Sequence, residues 1–197
     1  FKFLHDFEND AQKPGGLPNY AFIEPNYMDS LRWGPENDMH PESHAVQLYG
    51  VSNVEEGDRL VHRVYSAVRN SPDWDKTLLL ILFDEHGGCY DHVPPPTTIA
   101  PDTALISSTQ PGGSKFAFDR LGVRVPAVVV SPFTSPETIL NEVYDHTSVL
   151  KTVMQCFGMG TDGLGNRAAA ANDLEKALNL DAARADYPPI PTPGEPE

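Results

Sequence analysis

The chain has 197 residues, with 28 acidic against 14 basic side chains and a formal charge of −14. That balance argues against non-specific nucleic-acid binding, which needs clustered Lys and Arg, and against docking on an anionic membrane by charge alone; what it serves most directly is solubility. Hydrophobic residues make up 40% and charged residues 21%, a globular profile rather than a disordered one, and the length suits one sizeable domain or part of a larger one.

No apolar run approaches the ~18 residues a membrane-crossing helix needs; the longest is Leu78 to Phe83. Two cysteines, Cys89 and Cys156, are too few for a disulfide framework and are not spaced as a zinc site. Phe1 is preceded by no Met and followed by neither a charged n-region nor a signal-like apolar region. The chain therefore reads as starting in mid-domain, and the lack of a signal peptide says nothing.

Residues 1–19 are polar and contain "KPGGLPN", which predicts loop. "YAFIEPNY", Tyr20 to Tyr27, predicts a short buried strand stopped by Glu24 and Pro25. Residues 28–53 have no strong period and read as a long loop with room for a short helix. From Val54 the period changes: Leu60, Val64 and Val68, widened by Val61 and Tyr65, form one apolar face of a helix. Asn53 can cap it, Glu55 and Glu56 suit its positive end, Pro72 lies just beyond it, and Gly57 is a mild cost in its first turn.

"TLLLILF" predicts a fully buried strand, followed by a Pro-rich surface loop from Cys89 to Lys115. "VRVPAVVVSP" predicts a second buried strand, with Pro126 near its start where a missing N–H costs least. "YDHTSVLKTVMQCFG" predicts a helix capped by Asp145 or Thr147, striped with Val149, Leu150, Val153, Met154 and Phe157, and ended by Gly158. "NRAAAANDLEKALNL" predicts a last helix, and residues 181–197 a Pro-rich tail. Buried strands alternating with amphipathic helices predict an α/β fold with a largely parallel sheet, and ligands in such sheets bind beyond the carboxyl ends of the strands. Glu24, Asp84, Glu85 and Ser131 are all expected at such ends.

The densest chemistry lies in "LLLILFDEHGGCYDHVPPP", Leu78 to Pro96. Charged groups of this density at a strand end are costly unless water, a metal or a ligand satisfies them. Asp84 and Glu85 offer the hard oxygen ligands that divalent cations favour. Gly87 and Gly88 allow a tight turn or a close approach to a ligand, and His86, Asp91 and His92 add further donors. The bland alternative, a solvated turn with a local Asp–His pair, fits an isolated "DE" better than it fits "DEHGGCYDH". His40, before Pro41, and His146, at a helix start, are weaker candidates by themselves. His5, His44 and His62 carry no signal.

"FIEPNY", "MHP", "GDRLVHRVYSAVRNSPDW", "LLLILFDEHGGCYDHVPPP", "GVRVPAVVVSP" and "YDHTSVLKTVMQCFG" occur in this order. Together they resemble the phosphoesterase family of phospholipases C and related acid phosphatases, within the alkaline phosphatase superfamily, over most of Tyr20 to Leu180. The resemblance implies a three-layer α/β/α sandwich, incomplete in this chain. It implies a divalent metal of open identity and hydrolysis of phosphate esters, phospholipids among them, through a Ser or Thr phospho-enzyme. It implies secretion or a periplasmic location, and makes residues 1–180 the C-terminal portion of one catalytic domain.

Carried over by position, Asp84 and Glu85 become metal ligands, and His40 and His146 active-site histidines. His86, Asp91, His92 and Asp145 become supporting or loop-ordering residues. Glu24 and Asn26 fall where more distant relatives carry a metal-site acid. Cys89 departs from an aromatic residue usual in the family, and "AVQLYGVSN" is longer than usual. Thr147, Ser148 and Ser131 do not stand in the context of the family's nucleophile. The resemblance therefore places the nucleophile and the remaining metal ligands upstream, and the 197 residues alone are expected to be inactive and to bind metal weakly. An acid phosphatase acting on small phosphomonoesters and a non-catalytic domain that keeps the fold are the alternatives. Oligomeric state is not legible in the sequence.

Overall fold

The structure, a computed structural model, describes residues 2–27, 36–41, 54–102, 117–160 and 162–191. It is mixed helix and strand. The described elements run α1 (Leu4–Ala11), α2 (Val54–Arg69), β1 (Leu79–Leu82), β2 (Ala127–Val130), α3 (His146–Cys156) and α4 (Gly165–Ala170), with short 3-10 turns at Trp74–Lys76 and Glu175–Ala177. The chain divides into two compact units, Phe1–Ile81 with Val128–Pro132 and Ala182–Glu197, and Leu82–Ala127 with Phe133–Asp181.

In the first unit, α1 corrects the expectation of loop over residues 1–19. Asp6 accepts a hydrogen bond from the Phe3 N–H at its start, Ala11 is fully buried, and Glu8 takes both Nε and Nη2 of Arg63 from α2 at 2.8 Å. Leu4, Phe7 and Ala11 form a short apolar stripe at i, i+3 and i+7, part-buried to buried, and the ion pair to α2 adds to it; the stripe is too short to stand out beside "KPGGLPN" in the sequence. Helix α2 forms as its spacing predicts, burying Val64 and Val68; Asn53 lies outside the described residues. Gly57 is not merely tolerated. A Cβ there would lie 2.5 Å from Cγ and Cε of Met39, so the missing side chain is what lets residues 36–41 approach the helix.

Tyr20 to Tyr27 form no strand, a second correction, and Phe22 is 74% exposed. Pro25 and the polar Glu24 and Asn26 interrupt the apolar run, and the segment is stitched instead to residues 36–41, through Asn26 N–H to Asn37 Oδ1 at 2.6 Å and Asn37 N–H to the Asn26 carbonyl at 3.0 Å. Strands β1 and β2 pair in a two-stranded sheet. They lie inside the two predicted strands, but their side chains are half-buried to exposed, not fully buried. The segment that follows residue 181 is more than a tail: Tyr187 stacks on the Arg69 guanidinium at 3.8 Å and meets Trp74 edge-on at 5.8 Å. Residues 192–197 lie outside the described residues.

In the second unit, α3 starts at a capping box. Asp145 accepts from the Thr147 N–H at 2.7 Å, and the Ser148 hydroxyl accepts from the Asp145 N–H at 3.1 Å. Gly158 leaves the helix with a φ of 62°. The predicted last helix is broken into α4 and the turn at Glu175–Ala177. Lys151 from α3 explains the break: its ammonium donates to the carbonyls of Ala169 and Ala171, at 3.1 and 2.6 Å, satisfying the end of α4 where the sequence alone would have run on. Thr152 Oγ1 then accepts from the Leu174 N–H, and Ala168, Leu174 and Ala177 are buried. Arg167 on α4 donates to the carbonyls of Ile99 and Phe118, holding the described ends of the Pro-rich loop; an antiparallel bridge between Thr97 and Arg120 joins the same two ends.

Candidate functional site

The chain leaves β1 at Leu82 and turns at once. Asp84 Oδ1 accepts from the Glu85 N–H at 2.9 Å, and Glu85 Oε2 from the Gly87 N–H at 2.8 Å. Each carboxylate thereby fixes the backbone of the residue or two after it, and both side chains stay exposed. Gly87 and Gly88 take φ values of 61° and 78°, a left-handed pair that side-chain-bearing residues rarely adopt, and the Cys89 N–H closes the turn on the His86 carbonyl. The "DEHGG" string is therefore a turn that presents two acidic side chains to solvent beyond the strand.

His146 meets this turn from another element. It is the first residue of α3, and its Nε2 lies 3.0 Å from the carbonyl oxygen of Phe83. A carbonyl can only accept, so Nε2 carries a proton. The capping box of Asp145 sets the helix start that places His146. Thr147 Oγ1 donates to Asp145 and Ser148 Oγ is engaged by the same box, so both hydroxyls serve the cap.

The far end of the loop is held by an ion pair. Arg124 donates through Nε and Nη2 to the two oxygens of Asp91, at 2.5 and 2.9 Å. Asp91 also accepts from the Val93 N–H at 3.1 Å and lies 3.3 Å from His92 Nδ1. The Arg124 guanidinium, then the Val93 N–H, hold the Asp91 carboxyl well below the usual carboxylate range. Arg124 is a residue that the sequence analysis missed. The available signal was its place in "VRVP", just ahead of a strand.

The second unit thus holds Asp84, Glu85, His86, Asp91, His92, Asp145 and His146, and the first unit holds Glu24, Asn26 and His40. Glu24 and His40 are exposed; Glu24 does not stand at a strand end, whereas Ser131 directly follows β2. The His40 N–H donates to Asp38 Oδ2 at 3.1 Å. Among the described residues no three His, Cys, Asp or Glu side chains gather as a metal-holding set. The donor chemistry of Asp84 and Glu85 fits a hard divalent cation, but as part of a ligand set rather than the whole of it.

A profile of the phosphoesterase family matches residues 2–160. The chain belongs to the phosphoesterase family. It is 40% identical over 191 residues to non-specific phospholipase C6 of Arabidopsis thaliana, an overlap of 92% of this chain and 34% of that protein. It is 38% identical to non-specific phospholipase C3 of the same plant, over 89% of this chain and 33% of that protein. Against the non-hemolytic phospholipase C of Burkholderia pseudomallei identity is 32%, over 95% of this chain and 26% of that one. The chain therefore spans about a third or less of the length of these relatives. No helix among the described residues is long and apolar enough to cross a membrane.

Proposed function

We propose that the chain is the carboxylate-bearing part of a phosphate-ester hydrolase of phospholipase C type, releasing diacylglycerol and a phosphorylated head group from a phospholipid. One observation carries this reading: two exposed carboxylates at the turn beyond β1, with a histidine from α3 anchored on the carbonyl just before them. The names of the relatives, phospholipases C of plant and bacterial origin, support it. On this reading the sheet of β1 and β2 belongs to a three-layer α/β/α sandwich with a largely parallel sheet, in which the half-exposed faces of Leu82 and Val128 are covered.

Asp84 and Glu85 would hold a divalent cation, whose charge offsets that developing on the phosphoryl oxygens. On this reading His146, held at the turn by its contact with the Phe83 carbonyl, orients a reacting group or exchanges a proton with it. On this reading the nucleophile is a Ser or Thr other than Thr147 and Ser148, which are engaged in the cap of α3. His40 is a further candidate, on the family resemblance alone. Glu24 and Asn26 are the remaining candidate oxygen donors.

The test is Asp84→Asn in the full-length protein, assayed with p-nitrophenyl phosphorylcholine and, in a second arm, with p-nitrophenyl phosphate. Loss of one charged ligand removes part of a stabilisation worth several kcal/mol, so kcat/KM should fall at least ~100-fold. Turnover close to wild type would sink the assignment. Preference for the phosphomonoester over the phosphorylcholine ester would make the protein an acid phosphatase instead.

A further inference from the structure

The loop from Asp84 to His92 is anchored at its near end by β1 and by the His146–Phe83 contact. Between its two ends stand two glycines in left-handed conformation, and a Cβ on Gly88 would meet nothing within 4 Å. The Glu85 carboxylate holds the Gly87 N–H and the Cys89 N–H closes on the His86 carbonyl, but no side chain packs at Gly88. What holds its far end is Asp91. That side chain is only 12% exposed, whereas its partner Arg124 is 59% exposed and comes from 33 residues further along the chain. A fork of two parallel hydrogen bonds fixes orientation as well as distance, and the Val93 N–H on the same carboxylate ties the backbone to it.

We propose that Arg124 is a positioning residue: its two-pronged grip on Asp91 fixes the far end of the Asp84–His92 loop and so sets where Asp84 and Glu85 stand for a phosphate ester. The inference rests on the reading of those carboxylates as the reaction site, but the clamp has its own readout. The contact that carries this role is the one Arg124 makes with Asp91. A lysine in its place keeps the charge and loses the fork.

The experiment uses the full-length protein with R124Q, R124K and D91N/R124Q. Hydrogen exchange followed by mass spectrometry reads peptides covering residues 84–94, and steady-state kinetics on p-nitrophenyl phosphorylcholine gives kcat and KM separately. In R124Q these peptides should exchange about tenfold faster or more, with those of α3 unchanged, because only the loop is released. The kcat should fall at least ~10-fold with KM within about threefold, as expected when the groups that meet the transition state are misplaced. R124K should lie between R124Q and wild type in both measurements. D91N/R124Q should be no worse than R124Q, since both changes cut one interaction. Unchanged exchange in R124Q, or faster exchange with wild-type kcat, would overturn the proposal. A wild-type protein that hydrolyses no phosphate ester overturns the functional reading instead, and the exchange arm still decides whether the clamp exists. R124K, which retains the charge and most of the side-chain stem, supplies the comparison if R124Q fails to fold.

Discussion

Replacing Asp145 with alanine tests how the start of α3 is built. The side chain accepts from the Thr147 N–H at 2.7 Å and from the Thr147 hydroxyl. Loss of an N-cap costs about 1 kcal/mol, within a range of roughly 0.5–2. The lost side-chain bond from Thr147 adds about 1 kcal/mol. The total is about 2 kcal/mol, or roughly a 30-fold shift in the opening equilibrium of the first turn. Because His146 is the first residue of that turn, its Nε2 should leave the Phe83 carbonyl as the turn frays. Hydrogen exchange of the amides of Thr147 and Ser148 measures this directly and should quicken about 30-fold in Asp145→Ala. Asp145→Asn keeps an acceptor of equal capping quality and loses only the charge near the positive helix end, worth about 0.5 kcal/mol; its amides should quicken less than about threefold. If Asn proves as damaging as Ala, charge rather than capping holds the turn and the reasoning is wrong. A change below about twofold in the alanine variant would refute it as well.

Two further predictions concern the backbone and the acid limb. Gly165→Ala should cost about 2–3 kcal/mol, since φ is +84° and the new Cβ would lie 2.7 Å from the Pro101 carbonyl, itself the acceptor of the Asn166 N–H. Gly88→Ala, with φ of +78° and no atom within 4 Å, carries the backbone term alone, about 1–2 kcal/mol. Urea midpoints that rank these two variants equally would remove the steric part of the argument. Asp91 binds its proton less readily in the fold than in the unfolded chain. Its contribution to stability is therefore full above the unfolded pKa of about 3.9 and is lost as pH falls below that value through the lower folded one. The gap in urea midpoint between wild type and Asp91→Asn should hold steady from pH 7 to 5 and shrink below about pH 4; a gap that widens on acidification contradicts the assignment.

The elements legible in the sequence are those whose signal is local. Helix α2 carries its own period, and α3 its own cap and its own Gly158. Their boundaries follow from side chains that bond within one turn of the backbone they stabilise. The errors occur where a distant residue decides. Helix α1 is short, and one of its contacts comes from Arg63, 55 residues from Glu8 in sequence. Helix α4 stops because Lys151, 18 and 20 residues earlier, takes its last carbonyls. At Tyr20 to Tyr27 the apolar residues looked like a strand, yet Asn26 bonds to Asn37 across a gap of 11, and a polar side-chain contact replaced the ladder. Composition also overstated burial. The run Leu78 to Phe83 is apolar enough to be covered on both faces, but coverage is a property of neighbours, and among the described residues β1 pairs with β2 alone.

The same distinction separates the parts of the site. Asp84, Glu85, Gly87 and Gly88 were readable because the signals that shape the turn's near end are local: each carboxylate bonds within two residues of itself, and the glycines supply the dihedrals the turn demands. The partner of Asp91 was not readable, because nothing near "CYDHV" indicates which of the chain's arginines will meet it. Arg124 is set by the entry to β2, and β2 is set by pairing with β1, so the clamp exists only once the two strands have met. The residues a strand delivers to its loop are then as much part of the chemistry as the acids the sequence displays.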